Sequence, residues 1–252
     1  MDVLENTQRE FQSKFLFLLA TLFSATWLIS GIAAVKLVSF WGIVLTGSFF
    51  IFPITSILNC LIVEIYGYKN ARQAIWSGFL LNLLFVFFIH IVDKIPPSPS
   101  WTLQNQFHDI LVPSTRIICA SVISYLISDF LNSYLLAKLK CKNYILPKRI
   151  LVSTICASSI DIICFFLLAF FGTMPGDLFL KIFGYAYIKK ILCQIFFLPL
   201  ILILTDLIKK KEGFELYDFD TEFTPFSLNN VYDFHAYKTY SSTTSKAKIS
   251  TR

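Results

Sequence analysis

The sequence predicts an all-α polytopic membrane protein, a bundle of about six transmembrane helices followed by a cytoplasmic C-terminal tail. Three observations predict it. Of 252 residues, 56% are hydrophobic and only 15% are charged, where a soluble domain carries about 25% charged residues. Mean hydropathy is +0.65. The apolar residues fall into long blocks, each near the ~20 residues a helix needs to cross the hydrocarbon. A disordered chain, an ordinary soluble enzyme and a disulfide-rich secreted domain are thereby excluded.

Each element follows from its own stretch. Residues 1–14 read as a cytoplasmic N-terminal segment and 15–211 as the transmembrane domain. The first span is Phe15–Val35, closed by Lys36. The second block, Leu37–Val63, is uncharged and longer than a span needs, and it contains Gly42, Gly47 and Pro53. It leaves room for a re-entrant piece, and Pro53 inside a helix would free carbonyls near Leu45 to Phe49. The third span, Gln73–Val92, ends before Asp93 and Lys94. A Pro-rich segment, Lys94 to Trp101, leads into an amphipathic stretch ending at Pro113. Spans four, five and six are Ile117–Ala137, Ile150–Met174 and Ile182–Ile208.

Charge orients these spans. The net charge of +6 divides into +8 over residues 1–211 and −2 over 212–252. Arg9, Lys14, Lys69, Arg72, Lys138, Lys140, Lys142, Lys148, Arg149 and Lys209 to Lys211 lie on one side. The opposite loops hold Lys36, Lys94 and Lys181, and Lys189 and Lys190 lie at the outer end of the last span. Basic loops stay in the cytoplasm, so both termini are expected there, and the basic excess marks topology, not nucleic-acid binding. The six cysteines are scattered without ligand spacing, so they read as packing residues, with no metal site or cofactor expected. Glu64 and Asp206 border cytoplasmic loops and read as interface residues. Residues 212–252 form a separate polar, aromatic-rich tail, expected to be flexible or loosely docked, with partner recruitment as the alternative.

The polar residues inside the spans are the informative ones, because an ionisable side chain at the bilayer centre costs roughly 2.5–3.5 kcal/mol on insertion scales. Span four carries Asp129 and Asn132 on one face, beside Ser121, Tyr125 and Ser128. Span five carries Thr154, Ser158 and Asp161 on one face. At 1.5 Å per residue, Asp129 and Ser158 each lie roughly 13 Å from the cytoplasmic end, and Asp161 roughly 18 Å. Spans four and five are antiparallel neighbours, so these groups can meet. Asn82 in span three, and Thr55, Ser56 and Asn59 in span two, add to the set. Interhelical hydrogen bonding is the ordinary account of Ser121, Ser153, Thr154 and Asn82. For Asp161 the alternatives are a ligand or ion role, or an ion pair with Arg116, Lys189 or Lys190. Snorkelling anchors are the ordinary account of the two lysines. His90, His108 and His235 stand in no spacing relation to a nucleophile.

These residues also carry a resemblance. The run Phe52-Pro53-Ile54-Thr55, then Val63-Glu64-Ile65-Tyr66-Gly67 and Ala71-Arg72-Gln73-Ala74-Ile75-Trp76, resembles the queuosine precursor transporter family, also called the vitamin uptake transporter family. Its pattern there is F-P-x-T followed by E-x-Y-G-x-x-x-A-R-x-x-I. Ser30 to Lys36, Arg116, Arg149, Ser153, Thr154, Asp161, Lys189 and Pro199 extend the likeness over about residues 15–208. There are departures. Gly31 stands where the family has Asn, and Asn59-Cys60 replaces an acidic position. Asp129-x-x-Asn132 exchanges the acid and amide of a Q-x-x-D pair, and Ser158 replaces the Gln of a second pair.

The resemblance implies a transporter in a bacterial inner (cytoplasmic) membrane, importing a 7-deazaguanine such as preQ0, preQ1 or queuine. It implies substrate-binding roles for Asp161, Ser158, Asp129, Asn132, Asn82, Asn59, Tyr125 and Lys189. A guanine-like edge offers adjacent N–H and NH₂ donors, which the Asp161 carboxylate can accept together. Tyr125 can stack on the base, and Asp129 can meet a charged substituent or carry a proton. The partners are then a small molecule and the lipid bilayer, with a homodimer or an energising partner compatible. Two other readings stand beside it: the substrate-binding membrane subunit of a multi-component energy-coupled vitamin importer, and a non-transport assembly or structural protein. A membrane enzyme would need a nucleophile–base pair, and none is recognisable in the sequence.

Overall fold

A computed structural model describes residues 13–34, 36–40, 43–112, 115–170, 172, 176–219, 221–227, 232 and 236–239. Arg9, His235, residues 240–252, the expected span ends Val35 and Met174, and the side chains of Arg116 and Lys181 lie outside that description.

The chain is an all-α polytopic membrane protein. It runs α1 (Leu16–Ala33), a hairpin of β1 (Leu37–Phe40) and β2 (Ile43–Thr46), a short 3₁₀ turn (Gly47–Phe50), then α2 (Phe52–Lys94). There follow α3 (Gln104–Leu111), α4 (Thr115–Cys141), α5 (Leu146–Phe170) and α6 (Gly176–Glu212). Beyond them lie β3 (Phe214–Leu216) and β4 (Tyr237–Thr239). Five helices are long and apolar enough to cross a membrane: α1, α2, α4, α5 and α6. Large apolar side chains such as Phe17, Phe87, Leu192 and Phe196 stand exposed on them. A lipid-facing surface accounts for such exposure without a protein partner.

Two expectations change here. The second apolar block is not one helix from Leu37. Its first part is the antiparallel hairpin, pairing Leu37 with Thr46 and Phe40 with Ile43, and its helix starts at Phe52. Pro53 therefore sits in the first helical turn, where its missing N–H and fixed φ cost nothing. It frees no carbonyls around Leu45 to Phe49.

The second change concerns the join between spans two and three, which is a single glycine. Gly67 has φ 77 and ψ 176, a non-helical break within α2. Contacts on either side give the direction of the two arms. Asn59 meets Asp129 and Ser133, and Glu64 meets the Lys140 ammonium, so residues 52–66 run alongside α4 toward its C-terminal end. A Cβ on Gly78 would strike Trp27, and Gly31 lies beside Asn82. Residues 68–94 therefore run parallel to α1, away from that end. The two arms therefore run in opposite directions from the Gly67 break.

All of these ends converge on one side. Lys14 and Phe15 donate backbone N–H groups to the Glu212 carboxylate at 3.0 and 2.9 Å, so the last turn of α6 caps the start of α1. Tyr66 donates its hydroxyl to the same carboxylate. Several of the described residues of the segment expected to be loose or docked pack on the bundle. Phe214 and Leu216 are buried in the core, and β3 pairs with β4. Asp218 accepts the N–H of Tyr68 at 3.0 Å and the hydroxyl of Tyr232 at 2.6 Å. That Tyr232 oxygen accepts the N–H of Lys69 at 2.9 Å. The tail thus caps the helical arm that restarts after Gly67, supplying acceptors to N–H groups left open at a helix N-terminus. Arg72 and Trp76 donate to the carbonyls of Thr224 and Pro225 at 3.0 and 2.8 Å.

Candidate functional site: a buried polar layer in the bundle

Two buried polar groupings lie along the bundle interior. The first is at the end where the helices converge. Glu64, 0% exposed, takes Arg149 of α5 and Lys209 of α6 on one carboxylate oxygen, with Lys140 of α4 at 3.9 Å. Lys140 also donates to the carbonyls of Glu64 and, at 2.7 Å, Leu216. Glu215 of the tail pairs with Lys209 and, at 3.4 Å, with Lys140. Burial alone would raise the Glu215 carboxyl; Lys140 and Lys209 together outweigh it and hold the group at about 2. Burial and the neighbouring Asp218 carboxylate push the Tyr232 hydroxyl well up. Glu64 is therefore not an interface residue: four charges from four elements close around it. Asp206, by contrast, is exposed and pairs with Lys210 one turn on.

The second grouping lies deeper and contains most of the predicted residues. Asn59 donates to Asp129 at 2.9 Å and accepts from Ser133 at 3.2 Å. Asn132, one turn from Asp129, donates to the Cys60 sulfur at 3.8 Å. Tyr125 packs against Trp27 with ring centroids 4.7 Å apart. On the facing helices, Lys190 donates to Asp161 and Gln194 donates to Ser158. The two halves form one electrostatic unit, since Asp129 feels both Asp161 and Lys190, and Tyr125 feels both aspartates. The antiparallel packing of α4 and α5 brings the two acids together.

Two predicted residues stand apart. Asn82 donates to the Gly78 carbonyl of its own helix at 2.8 Å and faces Gly31 of α1. Lys189 is half-buried, and Lys190, not Lys189, meets Asp161. The ion-pair alternative for Asp161 is thus realised. Gln194, buried, was missed by the sequence reading. The signal was one of faces: Lys190 and Gln194, four apart, share one helix face, as Ser158 and Asp161, three apart, do on the antiparallel neighbour.

Four buried acceptors in this layer have no hydrogen-bond donor among the described residues: Thr55 Oγ1, Asp129 Oδ2, Asn132 Oδ1 and Gln194 Oε1. Buried polar atoms are nearly always satisfied, so these oxygens are able to accept from a donor-bearing group. A small crevice between α2, α5 and α6 is lined by Phe52, Ser56, Thr154, Gln194 and Phe197.

A family profile described as "Putative vitamin uptake transporter" matches residues 46–204. The chain belongs to the vitamin uptake transporter family. The matched residues take in the whole polar layer from Thr55 to Gln194, and leave the docked tail outside. Another similar protein is the "Probable queuosine precursor transporter" of Bacillus subtilis (strain 168), 29% identical over 155 residues. That alignment covers 59% of this chain and 65%, just under two thirds, of the relative. No solved structure matches. Among vitamin uptake transporters, then, this chain presents a layer rich in acceptors, with two acids and one lysine in mutual range.

Proposed function

We propose that this protein is a carrier, not an enzyme, that imports a 7-deazaguanine precursor of queuosine across the cytoplasmic membrane of a bacterial cell. The observation that carries the reading is the acceptor-rich layer, with its open oxygens on Thr55, Asp129, Asn132 and Gln194. A guanine-type edge presents the complementary N–H and NH₂ donors. Asp161 accepts that edge, the base replacing the ammonium of Lys190. Ser158 and Asn132 meet the remaining ring heteroatoms, and Tyr125 offers an aromatic face. The printed name of the Bacillus subtilis relative supports the same substrate class.

Uptake of each labelled base into proteoliposomes holding the purified chain tests the reading. Transport by this chain alone supports a self-sufficient carrier. A requirement for a separate ATPase would instead make it the membrane subunit of a larger importer, and failure of every base would refute the substrate class. Asp161→Asn exchanges an acceptor for a donor, a loss of about 1.5–3 kcal/mol or roughly tenfold to hundredfold in affinity. Near-normal affinity in that variant would remove Asp161 from the site.

The orientation proposed places both termini, the Gly67 break and the Glu64 cluster in the cytoplasm, following the basic residues. Reporters inserted after Lys142 or Lys211 should read cytoplasmic and one near Trp101 external; the reverse pattern would invert the proposal.

A further inference from the structure

The buried layer holds two carboxyl groups, Asp129 and Asp161, and one ammonium, that of Lys190. Asp129 is 6% exposed. Its Oδ1 accepts from Asn59, and its Oδ2 has no donor. The charged groups that act on it are Asp161 and Lys190, and the Lys190 ammonium is already committed to Asp161. Among the described residues, the surrounding elements supply no other compensating charge. Residues 16–33 of α1 carry no ionisable side chain. On the near arm of α2 the charged residue is Glu64, one and a half turns below, held within its own cluster of Lys140, Arg149 and Lys209. Along α5 the other charged side chains, Lys148 and Arg149, belong to the cytoplasmic end. On α6, Lys189 lies about 100° around the helix from Lys190.

Two carboxyl groups therefore face one lysine inside the bundle. A buried carboxyl without a counter-charge holds a proton instead of staying ionised, and a ligand that brings one positive charge can take that proton's place. Asn59 and Ser133 hold the carboxylate in place. The open Oδ2 is the atom left to receive an N⁺–H donor.

Resting on the deazaguanine reading, we propose that Asp129 sets specificity by reading the charge of the substituent, selecting a base with a cationic side chain over a neutral one. Asp161 reads the base edge common to both. Binding of 7-aminomethyl-7-deazaguanine and of its neutral, near-isosteric 7-hydroxymethyl analogue to the purified full-length protein tests it. The wild type should bind the cation more tightly by about tenfold to a hundredfold. Asp129→Asn should erase that preference while keeping affinity for the neutral base, and Asp161→Asn should weaken both alike.

Equal binding of the two bases by the wild type would overturn the charge-reading role and leave the carrier reading intact. Binding of neither would overturn the substrate class and this inference with it. Because the wild-type ratio alone decides the first point, misfolding of a variant cannot rescue the proposal. Retention of the full preference in Asp129→Asn would equally overturn it.

Discussion

Replacing Glu64 by Gln isolates the energetic weight of the charged cluster where the helices converge. The variant keeps shape and one hydrogen-bonding oxygen, but removes the charge on which Arg149, Lys209 at 2.5 Å and Lys140 at 3.9 Å converge. At an effective dielectric of about 20, a pair near 4 Å is worth roughly 4 kcal/mol before desolvation is charged against it. The carboxylate and two of its cations are 5% exposed or less, so solvent cannot take over. What remains is three buried cations facing the single carboxylate of Glu215. Breaking a buried pair by removing one partner costs about 3–5 kcal/mol. For a chain of this size that corresponds to a fall of roughly 10 °C in Tm, read as loss of monodisperse protein after heating in detergent. Asp206→Asn is the internal comparison. Its pair with Lys210 is about half exposed, and exposed pairs are worth less than about 1 kcal/mol, so Tm should hold within a few degrees. A Glu64→Gln protein as stable as Asp206→Asn would refute the reasoning, since the cluster would then be solvated or already neutral.

Two other outcomes are expected. Gly67→Ala places a methyl against the Tyr232 hydroxyl at a φ of 77°; the strain, about 1–3 kcal/mol, should loosen the tail and speed its cleavage by added protease, and an unchanged cleavage rate would count against the clamp. The Glu215 carboxyl lies at about 2, below its ordinary 4.5, so its stabilisation is complete above pH 4.5 and is lost as pH falls toward 2, by roughly 3 kcal/mol at most. The Tm of the wild type should drop more steeply below pH 4.5 than that of Glu215→Gln, whereas parallel curves would dismiss the contact.

Much of this was legible in the sequence, and what was not has physical reasons. Helix spans follow from apolar block length, and the rise per residue put Asp129 and Ser158 at matching depths. Asn59, Asp129 and Asp161 were conspicuous because polar groups are costly in a bilayer. Three features escaped. The hairpin at Leu37–Thr46 is as apolar as a helix, so hydropathy could not distinguish the two. Lys189 and Lys190 are adjacent, and only the rotation of α6 against α5 decides which of them reaches Asp161. Glu64 to Arg72 looks like a charged loop, yet it is buried because its partners arrive from Lys140, Arg149, Lys209, Asp218 and Thr224. No local pattern announces partners that lie 70 to 150 residues away.

The capping of α1 by Glu212 also sets a schedule for making the protein. Lys14 and Phe15 leave the ribosome 198 and 197 residues before the carboxylate that receives their N–H groups. At about 5–20 residues per second that interval is roughly 10–40 s. Throughout it, the first helix has no side-chain cap of its own and the arm beginning at Tyr68 lacks Asp218. Early spans must therefore wait in the bilayer as provisional partners, and the native end of the bundle closes only once the last helix and the segment beyond it have been delivered. A ribosome stalled before Glu212 would leave the earlier helices inserted and this end of the bundle unsealed, a form that quality-control proteases could tell from the finished protein by its exposed charged cluster.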